Sequence, residues 1–129
     1  MNHYFRIVLF FLTLFACSTS FEKRINVDEA SDLIKNTSKN LVILDVRTIN
    51  EFKKNHIEGA INIDYFSSDF STDLSKLKRN ITYIVYCRSG SRSAKTISTM
   101  KKLGFKKLYE IDGGITDWLN RQKPVSNKL

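Results

Sequence analysis

The chain has 129 residues, 42% of them apolar and 26% charged, which suffices for one domain with a real core and excludes both two ordinary domains and wholesale disorder. The formal net charge of +8 comes from Lys and Arg residues dispersed among acids. That pattern describes a solvated basic surface able to attract small anions; no DNA or RNA recognition motif accompanies it, so no nucleic-acid partner is expected.

The first sixteen residues contain Arg6 as their only Lys, Arg, Asp or Glu, followed by the apolar run Ile7 to Ala16. The run falls short of the roughly 20 residues needed to span a bilayer, so 1–16 is predicted to be a secretory signal peptide, with 17–23 a short linker. Export to a bacterial periplasm or cell envelope follows. Leu14-Phe15-Ala16-Cys17 resembles a bacterial lipobox, which makes Cys17 a candidate for lipidation and a membrane anchor. Ordinary signal-peptidase cleavage, for example after Ser18, remains the alternative. Cys17 and Cys87 are the only cysteines. With Cys17 consumed or removed in processing, Cys87 has no disulfide partner, and a lone thiol in an exported chain is a candidate reactive group.

Ile25 and Val27 suggest a short strand, and Ala30, Leu33 and Ile34 have the spacing of one buried helical face over Asp28 to Lys35. The runs Leu41–Leu44 and Ile81–Tyr86 are almost continuously apolar, as expected of central parallel strands covered on both faces. Thr48-Ile49-Asn50-Glu51 reads as a capping box that opens a second helix directly after the first of these strands. Ala60–Ile63 and Lys107–Ile111 are shorter strand candidates. Between them, Ala94, Ile97, Met100 and Leu103 mark a helix from about Arg92 to Leu103. Repeated strand and helix order predicts an α/β sheet, with 24–122 as its domain and 123–129 as a tail.

Cys87 closes the Ile81–Tyr86 run, and Arg88-Ser89-Gly90-Ser91 separate it from Arg92 at the start of the next helix. The carboxyl ends of parallel strands border the ligand crevice, so Cys87 is expected to face substrate and to be exposed. Unpaired N–H groups of a tight loop and of a helical first turn favour a negative charge at the loop's centre. With Arg88 and Arg92 within reach, they should hold the thiol below the free value of about 8.5. Gly90 gives the loop its freedom to turn, and Ser89, Ser91 and Ser93 are small enough to let a ligand approach the backbone.

Cys87-Arg88-Ser89-Gly90-Ser91-Arg92-Ser93 resembles the active-site loop of the single-domain rhodaneses. Leu44-Asp45-Val46-Arg47, Glu51-Phe52 and His56-Ile57-Glu58-Gly59-Ala60-Ile61-Asn62-Ile63 match that family's early signature, and Gly113-Gly114 with Trp118 match its closing one. Asn55 stands where the family usually has Gly and Glu58 where it usually has Pro, both away from the loop. The resemblance implies a rhodanese-like fold, a five-stranded parallel sheet with helices on both faces. It further implies a sulfurtransferase in which Cys87 takes the outer sulfur of a donor such as thiosulfate, forms a persulfide and passes the sulfur to a thiophilic acceptor. Backbone N–H groups of Arg88 to Ser93 would hold the persulfide, and Arg88 and Arg92 would attract the donor. No metal or organic cofactor is required. The partners would be a small anionic sulfur donor and a thiophilic acceptor, with a protein donor or acceptor as an alternative.

Asp45 and Arg47, near Glu51, are read as a structural ion pair, His56 as a hydrogen-bonding residue, and Trp118 with Ile115 and Leu119 as core. Two rival functions stand beside the enzyme. One is a sulfur-relay or protein-binding module of the same fold. The other is a phosphatase or arsenate reductase, against which the spacing counts: four residues lie between Cys87 and Arg92, one fewer than in tyrosine-phosphatase-like loops.

Overall fold

The computed structural model describes residues 19–37 and 39–129. The expected signal peptide and Cys17 lie outside the described residues. Five strands form one parallel sheet: β1 (Phe21–Ile25), β2 (Leu41–Asp45), β4 (Ile61–Asn62), β5 (Thr82–Tyr86) and β6 (Lys107–Ile111), in the order β1-β6-β5-β2-β4. The near-continuous apolar runs β2 and β5 lie side by side, with Ile43 opposite Ile84 and Leu44 opposite Val85. The helices are α1 (Val27–Asn36), α2 (Ile49–Lys54), α3 (Phe70–Ser75) and α4 (Ser91–Lys102), which lie between successive strands of this sheet, and α5 (Gly114–Asn120), which follows its last strand. The α/β architecture with a five-stranded parallel sheet is thus as expected.

Alternation along the strands divides the core in two. Tyr83, Val85 and Cys87 point with Leu44, Val46 and Leu108 toward α3 and α4, where they meet Leu74, Ile97 and Met100. Ile84 and Tyr86 point the other way with Ile43 and Ile111, against Ala30 of α1 and Ile115 and Trp118 of α5. Each fully buried Leu, Ile or Met of this kind contributes about 1.5–3 kcal/mol of transfer free energy. Cys87 therefore belongs by register to the α4 side of the sheet, and its sulfur is reached from the start of that helix.

Local signals set the remaining elements. Both Asn26/Glu29 and Thr48/Glu51 form complete capping boxes, fixing the starts of α1 and α2. Val27, expected in a strand with Ile25, instead opens α1, because the Asn26 cap turns the chain into a helix immediately after β1. β1 starts at Phe21, and the segment expected as a tail carries β7 (Val125–Ser126), which pairs antiparallel with β3 (His56–Ile57). Trp118 Nε1 donates to the Pro124 carbonyl at 3.0 Å, tying that C-terminal ribbon to α5. Trp118 and Ile115 are core, as expected, whereas Leu119 is exposed: α5 is a short helix, and residue 119 sits a quarter turn off its buried stripe.

Candidate active site

The segment 87–91 turns from the end of β5 into α4, with Gly90 at φ 134° preceding the helix. That conformation is one a side chain rarely adopts, and it turns the Gly90 N–H inward to the Cys87 sulfur at 3.1 Å. The Cys87 thiol lies 3.5 Å from Ser93 Oγ, one turn into α4. Burial pushes the thiol's pKa up, but the Ser93 hydroxyl and the N–H groups of Ser93, Gly90 and Ser89 outweigh it, and the thiol is held below its ordinary value. The far side of the loop is anchored by α5, where the Ile115 and Thr116 N–H groups donate to the Cys87 and Arg88 carbonyls at 3.0 and 3.2 Å. Gly114 lies directly against those carbonyls, leaving no room for a Cβ.

One expectation is corrected here. Cys87 is only 1% exposed, so its strand-end position does not leave it open to solvent. A loop whose N–H groups converge on a sulfur must wrap that sulfur, and the same fold-back that supplies donors covers it. Ser93 is corrected likewise: it is fully buried beneath the sulfur and is not part of an access rim, whereas Arg88, Ser89 and Ser91 are exposed.

The charges are also distributed differently from the sequence-based reading. Asp45 and Arg47 do pair inside the protein, with Arg47 donating through Nε at 3.0 Å and its backbone N–H at 2.8 Å to the Asp45 carboxylate. Glu51 does not join them. It takes the Arg92 guanidinium in a two-pronged contact at 2.8 and 3.1 Å, an interaction that lowers the Glu51 pKa to about 2. Arg92 is thereby tied to α2, and its guanidinium lies over the Phe66 ring with 5.6 Å between guanidinium carbon and ring centroid. Arg88 makes no side-chain ion pair among the described residues, and it borders a cleft of about 440 Å³ that also presents Lys54, Asn55, Thr116 and Leu119. His56 is buried, its Nδ1 2.8 Å from the Phe52 carbonyl and its ring stacked on Phe52. It plays no part near the sulfur.

The arrangement is a buried sulfur whose surrounding N–H donors favour its anion, with the adjacent Arg88 bordering a cleft that also presents Lys54. The sequence profile of the rhodanese-like domain matches residues 26–121. The chain belongs to the rhodanese-like domain family. It is 30% identical to thiosulfate sulfurtransferase 18 of Arabidopsis thaliana over 125 residues, covering 86% of this chain and 90% of that protein. A Bacillus subtilis relative named as a sulfur carrier protein is 33% identical over 79% of this chain, which spans 49% of that relative's length. Among solved structures, a rhodanese-related protein of Thermoplasma volcanium superimposes with a TM-score of 0.72 at 29% identity, covering 82% of this chain and 99% of that one. Relatives of this rhodanese-like chain thus include proteins named as sulfurtransferases and as sulfur carriers.

Sequence reasoning passed over one residue of the site. Glu110 is 5% exposed and accepts a hydrogen bond from Ser93 Oγ at 2.8 Å. The signal was present in the strand Lys107-Leu108-Tyr109-Glu110-Ile111: alternation puts Glu110 on the same core-facing side as Leu108, where a carboxylate needs a reason.

Proposed function

We propose that this rhodanese-like protein is a sulfurtransferase that carries sulfane sulfur on Cys87. The Cys87 thiolate attacks the outer sulfur of thiosulfate or a related anionic donor. The donor's S–S bond breaks, sulfite leaves with the bonding electrons, and Cys87 becomes a persulfide. A thiophilic acceptor, with cyanide as the convenient assay example, then attacks the outer sulfur and returns the thiolate. No proton is consumed once the thiolate exists. The observation that carries this reading is the convergence of N–H donors and Ser93 on one sulfur, which favours an anion there. Attack requires the buried sulfur to become reachable; the exposed Arg88 and Ser89 are the part of its cover that can shift, at the expense of the Thr116 contacts to the Arg88 carbonyl. Arg88, which has no ion pair among the described residues, is the cation that meets the donor; Arg92 acts by holding the loop through Glu51.

Intact mass after incubation with thiosulfate tests the assignment. One added sulfur is expected on the wild-type chain and none on Cys87→Ser; added sulfur that persists in the variant removes Cys87 from the mechanism. The same measurement on material from a bacterial envelope tests the proposed export, since a lipid on Cys17 or loss of 1–16 changes the mass. A relay role, in which a protein partner supplies or accepts the sulfur, is favoured by the near-complete burial of Cys87, which suits a loop opened by a partner. Fast thiocyanate release from thiosulfate and cyanide supports the free-standing enzyme. Slow release with efficient transfer from a protein persulfide supports the relay.

A further inference from the structure

Glu110 is a buried carboxylate one hydrogen bond away from the Cys87–Ser93 contact, and the sulfur-transfer steps leave it without a task. It stands on β6 between two neighbours in register, Arg24 on β1 and Val85 on β5. One oxygen, Oε2, accepts from Arg24 Nε and a second guanidinium nitrogen, both at 3.3 Å, across a partner that is itself 59% exposed. The other, Oε1, faces inward and is 2.8 Å from Ser93 Oγ.

Ser93 has a single hydroxyl proton and three acceptors around it. The Gly90 carbonyl is at 3.0 Å, Glu110 Oε1 at 2.8 Å, and the Cys87 sulfur at 3.5 Å. A carboxylate is the strongest and nearest of the three, so the proton points to Glu110 while Cys87 is a thiol, and the S–H donates to the Ser93 oxygen. Once the thiolate forms, the sulfur wants that same proton. We propose that Glu110 is a positioning residue that sets how readily Cys87 ionises, by competing with the sulfur for the only proton of Ser93. Glu110 acts as a counterweight to the loop amides. It keeps the thiol from becoming so acidic that its thiolate loses nucleophilicity, which falls as thiol pKa falls.

The charged groups bearing on the pair are few. From β1, Arg24 partly neutralises Glu110. From α4, Arg92 lends positive potential toward Cys87, although its guanidinium is paired with Glu51 of α2. Arg88 is the remaining cation of the loop and is exposed. None of these replaces the Ser93 proton, because none donates to the sulfur among the described residues.

The proposal rests on Cys87 being the reactive sulfur, and the test separates the two. The rate of Cys87 alkylation by iodoacetamide, read by peptide mass, is followed against pH for wild type and variants. Glu110→Gln should lower the midpoint by about one unit, giving roughly ten-fold more thiolate below it. Ser93→Ala should raise the midpoint and, as background, remove more than half of the Glu110→Gln shift. Arg24→Ala, a change at an exposed side chain that leaves the core intact, should shift the midpoint upward by exposing Sγ to the full Glu110 charge. A Glu110→Gln midpoint that is unmoved or raised overturns the competition. If Glu110→Gln does not fold, an unmoved or lowered midpoint in Arg24→Ala overturns it instead. A Cys87 that resists alkylation at every pH overturns this proposal and the free-standing reaction with thiosulfate together, whereas normal alkylation with unmoved midpoints overturns this proposal alone.

Discussion

Gly114→Ala is the most informative single change outside the sulfur itself. Gly114 sits at φ +56°, where a side chain is strained by about 1–2 kcal/mol. An added Cβ would also lie 2.6 Å from the Arg88 carbonyl oxygen and 2.8 Å from its carbon, and closer still to the Cys87 carbonyl oxygen. These are backbone atoms of the loop that cups the sulfur, so relief requires α5 and the loop to separate, an overpacking cost of roughly 1–3 kcal/mol. Gly59 supplies the control: it has φ +81° but nothing within 4 Å of an added Cβ, so Gly59→Ala carries conformational strain alone. The expected destabilisation is therefore about 3 kcal/mol for Gly114→Ala and about 1 kcal/mol for Gly59→Ala. Urea unfolding should show the first as a fall in midpoint of roughly 1–2 M and the second as less than 1 M, at unchanged slope. Because the Ile115 and Thr116 bonds to the loop carbonyls are pried apart, Cys87 alkylation should also accelerate in Gly114→Ala only. Equal midpoints for the two variants would refute the claim that α5 holds the loop by close approach.

Three further outcomes follow from the charges. Glu51 has its pKa depressed to about 2 by Arg92, so the pair's stabilisation is fully present above the ordinary value of 4.5 and disappears as pH falls from there through about 2. Between those limits wild type should lose on the order of 1 kcal/mol, discounted for partial exposure, that Glu51→Gln does not lose; equal acid unfolding curves would contradict the assignment. Asp45→Asn leaves the buried Arg47 guanidinium uncompensated and should cost about 3 kcal/mol in chemical denaturation, against little effect if the pair were solvated. Arg88→Ala should slow reaction with thiosulfate several-fold and flatten its salt dependence while leaving alkylation by a neutral reagent unchanged, as steering by an exposed cation requires.

The sequence made legible those parts of the fold that local pattern controls. β2 and β5 announced themselves as apolar runs, Thr48 and Glu51 as a cap, and Ile97 and Met100 as buried positions of α4, whose expected row partners Ala94 and Leu103 are only partly buried because the face turned inward is Ser93, Thr96, Ile97 and Met100. The two-residue strands β3 and β7 carry too few positions for an alternation to register, and their pairing joins residues far apart in the chain. At the site, the donors around Cys87 were predictable because strand end, glycine and helix start adjoin in sequence. The partnership of Arg92 with Glu51 and of Ser93 with Glu110 was not, since each is fixed only when separate crossovers bring α2 and β6 beside α4. Exposure of the sulfur was misjudged for a related reason: strand position sets where Cys87 lies, but the depth of the cup is set by how closely Gly114 lets α5 approach it.

The sheet order has a consequence in time. Cys87 directly follows β5, yet its cover is completed by Glu110 and Ile115, on elements that come later in the chain. During synthesis this sulfur emerges before the strand and helix that enclose it, and parallel pairing of distant segments is slow to close. Protection of Cys87 from a thiol reagent is therefore a late event, and a pulse of reagent during refolding clocks the docking of β6 and α5.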